Sequence, residues 1–121
     1  MAATRILVVE DDAMIGMMLG EMLQSMGHVV CGIVGTEADA VSAAARAKPD
    51  LMLVDAHLEG GSGIEAVDLI CLAGFVPHVF VTGDANSVKA FRPTATILQK
   101  PFNEKRLELA IAQALRLGAV Y

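Results

Sequence analysis

Three acids stand side by side at Glu10, Asp11 and Asp12, directly after the apolar run Ile6–Val9. Like charges crowded at the end of a buried segment repel one another and resist desolvation, so a compensating cation is the first expectation. Three later strand-like segments also end in polar residues: "LMLVD" in Asp55, "VFVT" in Thr82 and "ATILQK" in Lys100. Hard divalent cations take carboxylate and carbonyl oxygens, and Mg²⁺ keeps several waters while adding one or two carboxylates. Asp11 and Asp55 can supply those carboxylates, the backbone carbonyl of His57 a third ligand, and Glu10 a contact through water. Asp12 falls at the start of a helical pattern and reads as its N-cap. A carboxylate beside Mg²⁺ can also act as a nucleophile toward phosphorus and form an aspartyl phosphate. Phosphoryl transfer then needs little beyond positioning and neutralisation of the phosphoryl oxygens, which the Lys100 ammonium and the Thr82 hydroxyl can provide. Gly83, beside Thr82, leaves room for the incoming group.

These residues converge only if the chain places the ends of its apolar runs together. "RILVVE", "HVVCGIV", "DLMLVD", "HVFVTG" and "ATILQK" read as five strands. They carry apolar runs rather than strict alternation, the pattern of strands buried on both faces of a parallel sheet. Between and after them lie helical patterns: "AMIGMMLGEMLQSMG", "TEADAVSAAARA" with a capping box at Thr36 and Asp39, "SGIEAVDLICLA", the short "ANSVKAF", and "NEKRLELAIAQALRL" capped by Asn103. Five β-α units predict a three-layer α/β domain filling residues 1–121, with a short fourth helix. In open sheets of this kind the site lies outside the carboxyl ends of the strands, where Glu10, Asp11, Asp55, Thr82 and Lys100 all fall.

With these motifs assembled, the whole chain resembles the receiver domain of two-component response regulators, carried by "ILVVEDD", "LMLVDAHL", "VFVTG" and "LQKPF". The resemblance implies a flavodoxin-like fold with strand order 2-1-3-4-5. It implies Glu10 and Asp11 as the acidic pair, Asp55 as phosphoacceptor, Thr82 as switch hydroxyl and Lys100 as phosphate contact. It also implies a cis peptide at Lys100–Pro101.

Three features depart from the receiver pattern. Ile97 stands where an aromatic switch residue is usual, so the usual coupling of Thr to an aromatic ring is not expected. "DANSVKAFRP" leaves room for only a stub of a fourth helix, limited further by Pro93, which argues against the standard dimer face of DNA-binding regulators. "HLEGGSG" after Asp55 has Glu59 where Pro is common and two consecutive glycines, so a mobile loop is expected. Together with "FVTG" at Phe80–Gly83, these features resemble stand-alone alphaproteobacterial receivers that have a Phe-x-Thr-Gly motif and no aromatic switch.

The first helical segment holds five of the seven methionines. Helical spacing predicts Met18, Met22 and Met26 on a core stripe with Ile15 and Leu19, and Met14 and Met17 outside it near the site. Met14 and Met17 read either as partly buried or as a docking face, the receiver resemblance implying that this helix meets a histidine-bearing partner. His57 and Asp84 lie two residues past Asp55 and Thr82, positions that tune phosphoryl hydrolysis in receivers; they read as solvated, with a water-gating contact as the other option. His28 and His78 are expected to be structural, and Cys31 and Cys71 to be buried reduced thiols.

Composition bounds the remaining classes. A net charge of −5, with nine basic residues in no run or stripe, argues against direct nucleic-acid binding. The uncharged stretches Met22–Thr36 and Leu69–Gly83 are 15 residues each, against about 20 for a membrane span. A cytoplasmic, stand-alone receiver is expected, phosphorylated by a histidine kinase or histidine phosphotransfer protein, with Mg²⁺ as cofactor and output through protein–protein contacts. It is expected to be a monomer or weak dimer and no enzyme toward external substrates. The start at Met1 and the end at "LGAVY" count modestly against a module cut from a hybrid histidine kinase or larger regulator. A flavin-binding protein on this architecture is disfavoured by the scarcity of aromatics, and an Asp-nucleophile phosphohydrolase by His57 in place of a second acid.

Overall fold

The computed structural model describes residues 3–119, so Met1–Ala2 and Val120–Tyr121 lie outside it. Five parallel strands form one sheet: β1 (Arg5–Val9), β2 (Val29–Val34), β3 (Leu51–Asp55), β6 (His78–Thr82) and β7 (Thr96–Gln99). A two-residue antiparallel pair, β4 (His57–Leu58) and β5 (Gly61–Ser62), is inserted after β3. The helices are α1 (Ala13–Ser25), α2 (Glu37–Ala47), α3 (Gly63–Cys71), α4 (Ala85–Phe91) and α5 (Glu104–Gly118). The sheet order is β2-β1-β3-β6-β7, which becomes 2-1-3-4-5 when only the five long strands are numbered.

Alternation along each strand divides the apolar side chains between two layers. Leu7, Val9, Met52, Val54 and Phe80 face α2 and α3, meeting Ala40, Ala43, Ala44, Ala66, Val67 and Ile70. Ile6, Val8, Leu51, Leu53, Val79 and Val81 face α1 and α5, meeting Leu19, Leu23, Leu107 and Ile111. Every residue of β3 is buried, as the central strand of a covered sheet must be. The helix starts are set by local chemistry: Asp12 accepts from the Met14 and Ile15 N–H groups, Thr36 from Asp39, Ser62 from Ile64 and Glu65, and Asn103 from Arg106. The fourth helix is only seven residues long, closing at Arg92 just before Pro93.

The structure departs from the sequence reading in four places. Met18 is 59% exposed and Ile15 also faces outward, so neither belongs to the core stripe. The buried face of α1 is Gly16, Leu19, Gly20 and Leu23, rotated from the predicted stripe because two glycines occupy core positions. A Cβ on Gly16 would stand 2.9 Å from the Ile33 side chain, and one on Gly20 would stand 3.2 Å from it. Leu19 is buried in the core, and Met22 and Met26 pack against it, as expected. β2 is an edge strand with Val29 and Ile33 exposed, unlike the buried central strands. Cys31 and Cys71 are free but half-buried.

The fourth difference concerns the glycine-rich loop after Asp55. It forms the β4–β5 hairpin, with Gly60 at φ +76° in the turn. Both flanks are tied: the Glu59 N–H donates to Asp11 Oδ2 at 2.6 Å, and the Ser62 N–H donates to Glu37 Oε1 at 2.8 Å. The two glycines thus serve a tight turn and a close approach to Glu37 rather than an untethered loop.

Candidate functional site

The parallel register brings the carboxyl ends of β1, β3, β6 and β7 to one edge. Val9 pairs with Val54, Asp55 with Val81, and Thr82 with Gln99. Glu10, one residue beyond β1, is fixed by its N–H to the Val34 carbonyl and is 4% exposed. Its Oε2 accepts the Asp12 N–H at 3.1 Å. Carboxylate oxygens of Glu10, Asp11 and Asp55 all lie within 4.8 Å of one another.

Burial raises the Glu10 pKa from 4.5 to about 7; the Asp12 N–H opposes the shift, and the nearby Asp11 and Asp55 carboxylates add to it. Asp11 is exposed and shifts the other way, chiefly because its carboxylate accepts the Glu59 N–H. A buried carboxyl kept near its titration point between two other acids is the electrostatic condition that a cation relieves. This oxygen-only donor set fits a hard divalent ion such as Mg²⁺.

Asp55 is held at both oxygens. The His57 N–H donates to Oδ1 at 2.9 Å, and the Lys100 ammonium lies 3.3 Å from Oδ2. The same ammonium stands 4.0 Å from Glu10 Oε1. The Lys100–Pro101 peptide is cis, and the Lys100 N–H donates to the Thr82 carbonyl at 2.8 Å. Thr82 is almost fully buried, and its hydroxyl oxygen accepts the Asp84 N–H at 3.0 Å. A Cβ placed on Gly83 would meet nothing within 4 Å.

Asp84 is the N-cap of α4, where the Ser87 hydroxyl and N–H hold its carboxylate at 2.6 and 3.2 Å. The Ser87 hydroxyl is the main reason that its pKa is lowered, and the charge of His57 is the least of the contributions. No hydrogen bond joins His57 to Asp84 among the described residues. His57 presents its side chain to solvent, while its N–H serves Asp55. Ile97 is half-buried against the core cluster that contains Phe80 and Val88.

Away from these strand ends, Met14 and Met17 are 73% and 59% exposed on the first turns of α1. They adjoin an apolar groove bounded by Ile15 and Met18 on one side and Lys100–Phe102 on the other. His78 is packed between Phe75 and Phe80, and burial lowers its pKa. His28 stands 3.5 Å from Glu108 at the opposite end of the molecule from the acids.

Sequence reasoning overlooked three residues at the site. Gly63 falls inside the predicted helix "SGIEAVDLICLA", and a Cβ there would fall 1.9 Å from the Asp55 carbonyl oxygen. Glu37 stands in the first turn of α2, and its bond to Ser62 spans 25 residues. Gln99 lies at the end of the fifth predicted strand, and its amide bonds to the β6–α4 loop. The polar residue immediately before the Lys-Pro step was the only sequence signal for Gln99.

Residues 6–112 match the family model of the response regulator receiver domain. The chain is 36% identical over 117 residues to the phyllosphere-induced regulator PhyR of Methylorubrum extorquens, covering 93% of this chain and 44% of that protein. It resembles the solution structure of the Erythrobacter litoralis PhyR receiver domain with a TM-score of 0.84 at 36% identity, covering 95% of this chain and 92% of that one. It also resembles the crystal structure of the anti-anti-sigma factor PhyR from Bartonella quintana with a TM-score of 0.88 at 34% identity, covering 98% of this chain and 50% of that one. The chain spans about half the length of the full-length relatives it matches. Among the described residues, no helix is long and apolar enough to cross a membrane.

Proposed function

The chain belongs to the response regulator receiver domain family, and from that premise we propose that Asp55 accepts a phosphoryl group from a phosphohistidine on a histidine kinase or histidine phosphotransfer protein, with Mg²⁺ as cofactor. One observation carries this reading. A buried Asp55 carboxylate has the His57 N–H on one oxygen, the Lys100 ammonium beside the other, and two more acids close by.

In the transfer step, an Asp55 oxygen forms a P–O bond while the P–N bond of the phosphohistidine breaks. The imidazole nitrogen leaves with that electron pair. Asp11 and Asp55, the His57 carbonyl, and Glu10 through water are the groups that would hold the metal. When bound, Mg²⁺ supplies positive charge to the oxygens of the transferring group. Lys100 neutralises further charge on those oxygens, and Thr82 turns its hydroxyl to donate to them. The His57 N–H keeps Asp55 oriented, and the open space at Gly83 admits the group.

The domain modifies only itself and turns over no external substrate. Its output is carried by protein–protein contacts made by a cytoplasmic receiver, a monomer or weak dimer with no direct nucleic-acid contact. The half-buried Ile97, the seven-residue α4 and "FVTG" at Phe80–Gly83 support placement with the stand-alone receivers that lack an aromatic switch. The greater length of several relatives favours a second reading, a receiver module of a longer regulator or hybrid histidine kinase, with the same site chemistry. The length of the native protein, measured in its own cells, separates these two readings. Phosphoryl acceptance itself is tested by intact-protein mass after incubation with acetyl phosphate. A Mg²⁺-dependent adduct lost in Asp55→Asn supports the reading, and no adduct in the parent protein contradicts it.

A further inference from the structure

One side chain on β7 fastens the loop that follows Thr82. Gln99 pairs with Thr82 in the parallel register. Its Nε2 donates to the Gly83 carbonyl at 2.6 Å and to the Lys100 carbonyl at 3.2 Å, while its Oε1 accepts the Ala85 N–H at 2.8 Å. Both amide hydrogens and the oxygen are therefore in use. The partners also fix the orientation, because the reversed amide would set NH₂ against an N–H and an oxygen against two carbonyls.

Thr82 holds the same loop from the other side, with its hydroxyl oxygen accepting the Asp84 N–H at 3.0 Å. The Gly83–Ala85 backbone is thus gripped by two side chains, one at the phosphate site and one on the neighbouring strand. When Thr82 turns toward a phosphoryl group on Asp55, the Asp84 N–H loses its acceptor, and the loop backbone remains tied to β7 through Gln99. Ile97 lies two residues before Gln99, on the same face of β7, and packs against the cluster that holds Val88 of α4. Gln99 and Ile97 therefore both connect β7 to the start and body of α4.

We propose that Gln99 is a positioning residue that couples the state of Thr82 to β7 and α4, in a receiver with no aromatic ring to do so. This inference rests on the phosphoacceptor reading above. The Gly83–Ala85 loop is the element through which Thr82 and β7 would act on each other, since both hold its backbone.

The test is amide NMR of the full chain with Mg²⁺, before and after addition of beryllium fluoride as a phosphoryl mimic, in the parent protein, Gln99→Leu and Gln99→Glu. Leu keeps the length of the side chain without its hydrogen bonds, and Glu keeps the acceptor without the donors. Gln99 is exposed, and the spectrum without the mimic reports whether each variant is folded. In the parent protein, the Asp84 and Ala85 amides are expected to shift together with those of Ile97 and Leu98. In both variants the Asp84 shift is expected to persist while those at Ile97 and Leu98 are lost. Retention of the Ile97 and Leu98 shifts in the variants, or their absence in the parent protein, would overturn the role of Gln99 alone. A parent protein that gives no shifts and no adduct with acetyl phosphate would overturn this role together with the phosphoacceptor reading.

Discussion

The Lys100 ammonium bridges two carboxylates of different standing, lying 3.3 Å from Asp55 Oδ2 and 4.0 Å from Glu10 Oε1. One cation thus touches both the proposed nucleophile and the buried acid behind it. Donors aimed at a transferring phosphoryl group act where charge develops, so Lys100→Met should slow adduct formation with acetyl phosphate about 100-fold. Time-resolved intact mass reads the ratio; an unchanged rate would limit Lys100 to a structural ion pair.

Glu10 sets a pH dependence whose sign follows from its burial. Its carboxyl titrates at about 7 when folded, against 4.5 ordinarily. Between these values the folded state holds a proton that the unfolded state has released, so the contribution of this group to stability falls as pH rises through 7. His78, lowered by burial, works oppositely, with stability lost as pH falls below 6.5. Comparison with Glu10→Gln isolates the first effect. In chelator, the thermal midpoint of Glu10→Gln relative to the parent protein should rise by roughly 4 °C, or about 1 kcal/mol, between pH 5 and 8. Mg²⁺ should narrow that gap at pH 8. A gap independent of pH would contradict the raised value.

Gly63 and Gly83 should respond differently to the same added methyl group. At Gly63 a Cβ falls 1.9 Å from the Asp55 carbonyl and 2.7 Å from Val54, whereas at Gly83 it meets nothing within 4 Å. Gly63→Ala should cost about 3 kcal/mol in urea unfolding, and Gly83→Ala less than about 0.5 kcal/mol. Equal costs would show that the start of α3 can shift freely beneath the phosphoacceptor.

Met14 and Met17 present flexible apolar side chains beside the α1 groove. Replacing both with Glu should slow transfer from a phosphohistidine-bearing partner about tenfold, the loss of a modest docking contribution. Phosphorylation by acetyl phosphate should be unaffected, because the small donor needs no docking face. Equal slowing with both donors would remove the docking role.

The sequence made the sheet legible because central strands must be apolar on both faces, and β3 is "LMLVD" with every residue buried. The polar residues that end those strands therefore belong to one edge, and Glu10, Asp11, Asp55 and Lys100 meet there. The rest was hidden for identifiable reasons. A search for apolar periodicity passes over Gly16 and Gly20, so it rotated the buried face of α1 and assigned Met18 to the core. Gly63 is demanded by contact with a backbone oxygen eight residues earlier, and Glu37 by a loop 25 residues later. Both contacts depend on how elements pack, which local pattern does not encode. The role of Gln99 arises from strand register, which brings it opposite Thr82.

The most direct measurement maps the phosphoryl group to a residue. After incubation with acetyl phosphate and Mg²⁺, borohydride reduction converts an aspartyl phosphate to homoserine, and peptide mass spectrometry locates it. Homoserine at position 55, absent when Mg²⁺ is withheld, is the predicted result. Label on Glu10, Asp11 or Asp12 instead, or no label anywhere, would contradict the account of Asp55 as the phosphoacceptor.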